Sequence, residues 1–450
     1  MVSPSIVWFR DDLRLADNPA LRAALARGEP IIGLFVLDEV SAGTRRLGGA
    51  ARWWLHHSLA SLAERIGERG SVLILRRGEA AQVVSALVHE VSAGAVFWNR
   101  RYGGPERKID GGIKDALRGD GVEVASFAGS LLFEPWTVTT GSGTGYSVFT
   151  PYWRACLALP TPRLPHPEPR DIPGPPSRVD TDDLDDWHLL PTQPDWAGGL
   201  RETWTPGEPD ARRRLREFIA DDLEAYDRAR DEPAAGVTSL LSPRLRWGEL
   251  SPFTVWHEAV AAGGGRFLSE LGWREFAWHT LFHHPDLATT NLRREFDAFP
   301  WPRLNRMRLA AWQRGRTGVA LVDAGMRELW HTGFMHNRVR MVVASFLIKN
   351  LLIDWRRGEE WFWDTLVDAD AANNPFNWQW VAGSGADAAP YFRVFNPDLQ
   401  AKKFDPQQAY VQRWAPEHRS ATPPEPIVDL GKSRKAAFDA FDTMKRTAQS

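Results

Sequence analysis

Acids, amides and tryptophans crowd the stretch from Asp368 to Pro397 at a density that an ordinary core does not need. The run Asp368-Ala-Asp370-Ala-Ala-Asn373-Asn374-Pro375-Phe376-Asn377-Trp378-Gln379-Trp380 continues into Asp387-Ala-Ala-Pro390-Tyr391-Phe392-Arg393-Val-Phe-Asn396-Pro397. Upstream, Met335-His-Asn337-Arg338-Val-Arg340-Met341 sets a guanidinium ahead of the apolar stretch that ends at Ile348. A charge in such surroundings is expected to be paired, because an unpaired buried charge is strongly destabilising. An Arg340–Asp368 ion pair is therefore expected, with Asp370 beside it. The Asn374 amide does not ionise near neutral pH, so it can hydrogen-bond without acting as an acid or base. A turn asparagine before Pro375 is its plainer reading.

Three further stretches could do chemistry. Gly236-Val-Thr238-Ser239-Leu240-Leu241-Ser242-Pro243 places hydroxyls and free backbone amides just before Arg244 and Arg246. Such a turn can hold a diphosphate by N–H donation, although Ser and Thr before a helix also serve as caps. Glu270-Leu-Gly-Trp273-Arg274-Glu275-Phe276 offers an aromatic face beside hydrogen-bonding groups. His279, His283 and His284 include the i,i+4 spacing that suits zinc on one helix face, but no third ligand stands at clear spacing, so no metal is expected. With 22 tryptophans in the chain, any one of them is core by default.

The elements that must position these groups fall into two sets. The chain has 450 residues, more than one hydrophobic core usually organises, so two domains are expected. Over the first 130 residues, β-branched runs (Ile6–Phe9, Ile31–Leu37, Val72–Leu75, Ala95–Trp98, Val122–Phe127) alternate with helical spacing at Asn18–Arg27 and Arg52–Ile66. This alternation predicts an α/β fold with a doubly wound parallel sheet, Rossmann-like, over residues 1–130. The loops after Phe9 and Leu37 would border any pocket there. No Gly-x-Gly-x-x-Gly follows the first strand and no Gly-Lys-Ser/Thr exists, which argues against an ordinary nicotinamide domain and a Walker-type site.

Eight prolines between Pro160 and Pro176 mark an interdomain linker, placed at 131–205. From 206 to 450 the pattern is helical, clearest at Ala211–Ala229, Pro252–Ala262, Phe267–Phe282, Ala320–Trp330, His336–Leu352 and Glu359–Leu366. The second domain is expected to be all-α.

Composition limits the function classes. A hydrophobic share of 43% and a charged share of 25% are those of a soluble globular protein. No apolar run is long enough to span a bilayer, and Arg10, Asp11, Asp12 and Arg14 stand where a signal peptide needs an apolar core, so a cytoplasmic chain with no membrane partner is expected. The single cysteine, Cys156, excludes an intramolecular disulfide. A net charge of −2 gives no global attraction to nucleic acid, so a DNA partner would have to meet a local basic patch.

Together with Trp8-Phe-Arg10-Asp11-Asp12-Leu13-Arg14-Leu-Ala-Asp17-Asn18-Pro19, these stretches resemble the photolyase/cryptochrome family from about Ile6 to Asp405. Within it the chain is most similar to photolyases of the class I or class III type that repair cyclobutane pyrimidine dimers. The resemblance implies FAD bound in the all-α domain by Tyr226, Thr238, Ser239, Leu240, Leu241, Ser242, Phe267, Arg274, Asn337, Arg340, Asp368, Asp370 and Asn374. It places Asn374 opposite flavin N5, where an amide suits a protonated, reducible flavin; plant-type cryptochromes carry an acid at that position. Trp378, Trp355 and Trp301 match a chain of electron-carrying tryptophans, although the segment from Trp301 to Trp312 is one residue longer than the usual pattern.

The same resemblance puts Glu270, Trp273, Asn337, Arg338, Met341 and Trp380 around a flipped-out lesion, with Trp273 and Trp380 as stacking faces. Arg230, Arg338, Arg393, Gln400, Lys402 and Lys403 would meet the damaged strand. Glu270 in its protonated form would stabilise the extra charge on the dimer. Relatives that repair (6-4) photoproducts depend on a histidine pair in the helix holding Asn337 and Met341, and here those two positions are not histidine. An antenna chromophore, deazaflavin or folate, would lie near Asp38, Asn99 and Arg100-Arg101-Tyr102. Gly103-Gly104-Pro105 replaces the glutamate common in folate binders, which counts against folate.

The function so implied is light-driven repair of UV-damaged DNA; a monomer is expected because no long exposed apolar stripe is left over. A blue-light photoreceptor without repair activity is the alternative, set back by the short stretch after Asp405 with its helical piece Ser433–Met444. A nucleotide-binding protein without photochemistry is the third reading, which a colourless preparation would favour.

Overall fold

The computed structural model describes residues 3–389 and 392–449, so Pro390 and Tyr391 of the acidic-aromatic run lie outside the described residues. Five strands, β1 (Ser5–Phe9), β2 (Ile31–Leu37), β3 (Leu73–Arg77), β4 (Ala95–Asn99) and β5 (Glu123–Phe127), pair in parallel in the order β3-β2-β1-β4-β5. The central strands are buried along their whole length, as a sheet covered on both faces requires. Side chains alternate between two cores. Val7, Phe9, Ile31 and Phe35 meet Trp54, Leu55 and Leu59 of the Gly49–Glu68 helix on one face. Ile6, Trp8, Ile32 and Leu34 meet Val84, Leu87, Ile113 and Leu117 of the Ala80–Glu90 and Gly104–Gly119 helices on the other. The α/β expectation and its five strands thus stand in the structure with shifts of one or two residues at the ends.

Residues 131–205 are more than a tether. They contain a helix, Phe149–Leu157, whose Phe149, Tyr152 and Cys156 join the core formed by Leu215, Phe218, Phe253 and Phe276 of the helical half. The proline-dense part runs without regular structure and carries Arg163, which pairs with Asp17.

The second half is helical among its described residues, and two of the expected long helices carry π-turns. Glu208–Glu217 passes through a π-turn at Phe218–Asp222 into Leu223–Ala229, and Asn337–Ser345 ends in a π-turn at Phe346–Asn350 rather than continuing as α-helix to Leu352. The Asn373–Ala382 helix was not among the segments the periodicity picked out. It forms because Asp370 Oδ1 accepts from the N–H groups of Ala372 and Asn373, at 2.8 and 2.6 Å, and because Pro375 falls in the first turn, where proline is tolerated. The last helix, Leu430–Gln449, is longer than expected and packs Ala437, Phe441 and Met444 against Phe296, Phe299 and Phe392.

The two halves meet at the carboxyl edge of the sheet. Leu13 N donates to Trp247 O (3.1 Å), Arg14 to Gly248 O (2.9 Å), and Arg246 pairs with Asp11 at 2.6 Å. The loop after β1, one of the two expected to border any pocket there, therefore packs against the helical half.

Candidate cofactor and lesion cleft

The expected ion pair is present and extends further than the sequence indicated. Arg340 Nη1 and Nη2 donate to Asp368 at 3.1 and 2.8 Å, its Nε donates to Met335 O at 2.7 Å, and Ser242 Oγ donates to Asp368 Oδ2 at 2.6 Å. Asp368 thereby ties the Gly236–Ser242 turn to the Asn337–Ser345 helix. Within that turn Leu240 adopts a left-handed backbone (φ 56°), and among the described residues the N–H groups of Thr238, Ser239 and Leu240 find no acceptor. Unsatisfied amides around a left-handed residue form the kind of concavity that takes an anion. Leu241 is buried while Ser242 is exposed and begins a short helix, Ser242–Arg246.

Asn374 is buried, and its Nδ2 donates to Glu359 O at 3.0 Å and to Glu359 Oε1 at 2.8 Å. Both amide hydrogens are spent, whereas nothing among the described residues donates to its Oδ1. Asp370, by contrast, is consumed in starting the Asn373–Ala382 helix, its second oxygen accepting from Asn373 Nδ2 at 2.8 Å; burial raises its pKa. Tyr226 is buried against Phe218 and Phe267, which pushes its hydroxyl pKa up. Arg274 donates to Ser130 O and Glu275 at 2.8 and 2.9 Å. Asn337 is exposed at the start of its helix.

The lesion-side residues gather in two groups. Trp273 stacks on Phe149 with centroids 3.9 Å apart and planes 10° from parallel. Phe149 N donates to Asp387 Oδ1 (3.4 Å), and Trp380 Nε1 donates to Asp387 O (3.0 Å), so one backbone position links both expected stacking faces. In the second group Arg230 pairs with Glu270, Arg338 pairs with Asp231 at 2.8 Å and lies 4.4 Å over the Phe404 ring, and Met341 Sδ sits 3.9 Å from Arg338 Nη1. Glu270 accepts from Arg230 in this ion pair. Arg393, Lys402 and Lys403 are exposed and Gln400 half-exposed, the lysines closing the Pro397–Phe404 helix.

Of the three tryptophans, Trp378 is buried on Phe362 (5.0 Å) and Trp312 (6.2 Å), in a space left by Gly358, where any Cβ would collide with the indole. Trp355 donates to Asn291 Oδ1 at 3.0 Å and shares a small apolar cavity with Trp301, which leans on Phe299 at 4.3 Å.

Sequence reasoning missed four residues. Glu359 accepts from both Asn374 and Arg45, Phe149 backs Trp273, and Lys349 lies beside Trp380 and Arg393 in a second small cavity. Burial lowers the Lys349 pKa to about 7, and its Nζ donates to Arg393 O. Lys349 alone left a signal, a lysine inside an apolar run. At the expected antenna site, Asn99 is hydrogen-bonded to Asp12, Asn18 and Ala20, Arg100 and Tyr102 to Glu134, and Arg101 to Asp110; Asp38 accepts from the N–H groups of Val40, Ser41 and Ala80. In the histidine cluster, Tyr146 N donates to His279 Nε2 at 2.9 Å.

Residues 5–170 match the family model for DNA photolyase, and residues 267–425 match that for the FAD binding domain of DNA photolyase. A deoxyribodipyrimidine photo-lyase from Agrobacterium fabrum is 48% identical, covering 99% of each chain. Cryptochrome-1 from Arabidopsis thaliana is 38% identical over 92% of this chain and 63% of its own. The crystal structure of a bacterial class III photolyase from Agrobacterium tumefaciens superposes with a TM-score of 0.95 at 46% identity, over 99% of this chain and 98% of the other. Sheet order, the Arg340–Asp368–Ser242 wall and these matches converge: the chain belongs to the DNA photolyase family.

Proposed function

We propose that the protein is a deoxyribodipyrimidine photo-lyase that repairs cyclobutane pyrimidine dimers in DNA with reduced FAD. The observation that carries this reading is the cleft wall with its surplus hydrogen-bonding capacity: open amides at Thr238–Leu240 for a diphosphate and an unclaimed Asn374 Oδ1 for a protonated ring nitrogen. These groups fit FAD. Bound there, FAD would supply the photochemistry, lending one electron to the dimer, whose two inter-base carbon–carbon bonds break, and taking it back, with no net oxidation.

The protein's share is binding and placement. Thr238, Ser239 and Leu240 would donate to phosphate oxygens, while Arg340, held by Asp368 and Met335 O, would border the ring system. Asn374 Oδ1 would accept from N5–H. Trp273 and Trp380 would stack on the extruded bases, each such contact worth about 1–3 kcal/mol. Arg230 would have to share Glu270 with the lesion, which makes that ion pair a latch over the lesion site. Arg393, Lys402 and Lys403 supply the local positive charge that a net charge of −2 leaves to a patch. Trp378, Trp355 and Trp301 would carry electrons inward to restore the reduced cofactor.

The test is blue-light treatment of an oligonucleotide bearing one thymine dimer, with photoreduced protein and a dark control. Light-dependent loss of the dimer is expected. Yellow, photoreducible protein that leaves the dimer intact would instead support a photoreceptor, the reading that similarity to a cryptochrome keeps open.

A further inference from the structure

We propose that Arg45, on the α/β domain, is a positioning residue for the cofactor edge facing Asn374: it holds the Glu359 carboxylate, and Glu359 fixes which end of the Asn374 amide points into the cleft. The inference rests on the FAD reading above.

An isolated primary amide can turn over and exchange its donor and acceptor ends. Asn374 cannot do so while both of its amide hydrogens are bound, one to Glu359 O and the other to Glu359 Oε1. The backbone oxygen alone would hold one hydrogen and leave the amide free to pivot. The carboxylate completes the lock and leaves Oδ1 for the ligand.

Glu359 is itself almost wholly buried, and burial works against its charged form. One donor amide does not offset that cost. Arg45 does: its Nη1 and Nη2 bond Glu359 Oε1 and Oε2 at 2.7 and 2.9 Å, a two-pronged match of guanidinium to carboxylate. Among the described residues it is the one cation in ion-pair reach of Glu359. Oε1 is shared between Arg45 and Asn374, so the three side chains form a continuous line from a half-exposed arginine to the cleft.

Arg45 is aimed by the same helix it grips. It lies 4.0 Å over the Trp363 ring; Trp363 Nε1 donates to Arg46 O at 2.8 Å; Gly49 N donates to Asp364 Oδ1 at 2.8 Å. At Gly48 the loop touches the helix backbone so closely that any Cβ would strike Trp363 O. Docking of the two domains is served by Trp363 and Asp364 without Glu359. The Arg45–Glu359 pair adds something docking does not need, control over a side chain on the next helix.

The prediction concerns protonation at the cofactor rather than repair. Without Arg45, Glu359 takes up a proton or swings out, an Asn374 N–H is released, and the amide can present a donor where an acceptor stood. The ratio of N5-protonated to N5-unprotonated flavin at fixed potential should then fall about tenfold in Arg45→Met, the scale of one charged hydrogen bond. Arg45→Lys should recover most of it, and Glu359→Gln should lower it if Arg45→Met does not fold. Asp364→Asn, which weakens docking away from Glu359, should leave the ratio at its wild-type value while lowering the melting temperature. The measurement is a redox titration of FAD-loaded protein followed by visible absorption. An unchanged ratio in FAD-bound Arg45→Met and Glu359→Gln, or an equal fall in Asp364→Asn, overturns the proposal. Wild-type protein that holds no flavin defeats the underlying reading instead.

Discussion

Two buried asparagines, Asn99 at the end of β4 and Asn374 on the Asn373–Ala382 helix, are alike in burial and in having their amide hydrogens tied down. Asn99 Nδ2 donates to Asp12 and Asn18 at 2.6 and 2.9 Å, and its Oδ1 accepts from Ala20 N at 3.3 Å. Asn374 Nδ2 is held by Glu359, and its Oδ1 accepts from nothing described. The first has every group engaged; the second keeps an oxygen that no described residue donates to. Residue type and burial do not separate a structural amide from a functional one. A full count of its hydrogen bonds does.

That contrast should survive substitution, and the largest effects test it among the tryptophans. Trp98, wholly buried in the sheet, should cost about 4 kcal/mol as Trp98→Ala in urea unfolding. Trp380→Ala should cost much less stability yet weaken binding to dimer-containing DNA about tenfold or more, with undamaged DNA bound as before. Equal stability losses at the two sites would break the comparison. Next in size, Asn99→Ala should cost about 2–3 kcal/mol, because it strands buried partners, and should leave the flavin spectrum unchanged. Asn374→Ala should cost about 1 kcal/mol and change that spectrum. The reverse pattern would mean that the vacancy at Asn374 is incidental.

Two lysines, one exposed and one buried, sharpen the same division. Lys402→Ala should weaken DNA binding irrespective of sequence and lower the salt slope by about 1. For Lys349 the folded-state pKa, about 7, lies below its ordinary value of 10.5. Between those values the unfolded chain binds the extra proton, so stability should rise with pH across that window. Lys349→Met should flatten the rise in unfolding experiments from pH 7 to 10.

Much of this architecture was legible because it is written locally. Strand periodicity, the Asn18-Pro19 helix start and the proline run each depend on neighbours in the chain. Arg340–Asp368 was legible for another reason: a guanidinium ahead of an apolar run must have a partner, and the acid-rich run beginning at Asp368 offered one. The Asn373–Ala382 helix was obscured by its own asparagines and proline, which read as a turn until Asp370 is seen to cap it. Arg45 and Glu359 left no trace, since one charged residue on a loop and another on a helix look like solvated surface until folding brings together positions 314 residues apart. The Arg230–Glu270 ion pair was likewise hidden, since its partners stand 40 residues apart.

The hydrogen atom on Gly48 has a thermodynamic corollary. Where a loop from one half rests directly on the backbone of a helix in the other, a small separation would lose the contact without admitting water in its place. The halves have no loosened intermediate to visit, and heating should produce a single calorimetric transition instead of one for each domain. A methyl group at position 48 should be enough to split that peak in two.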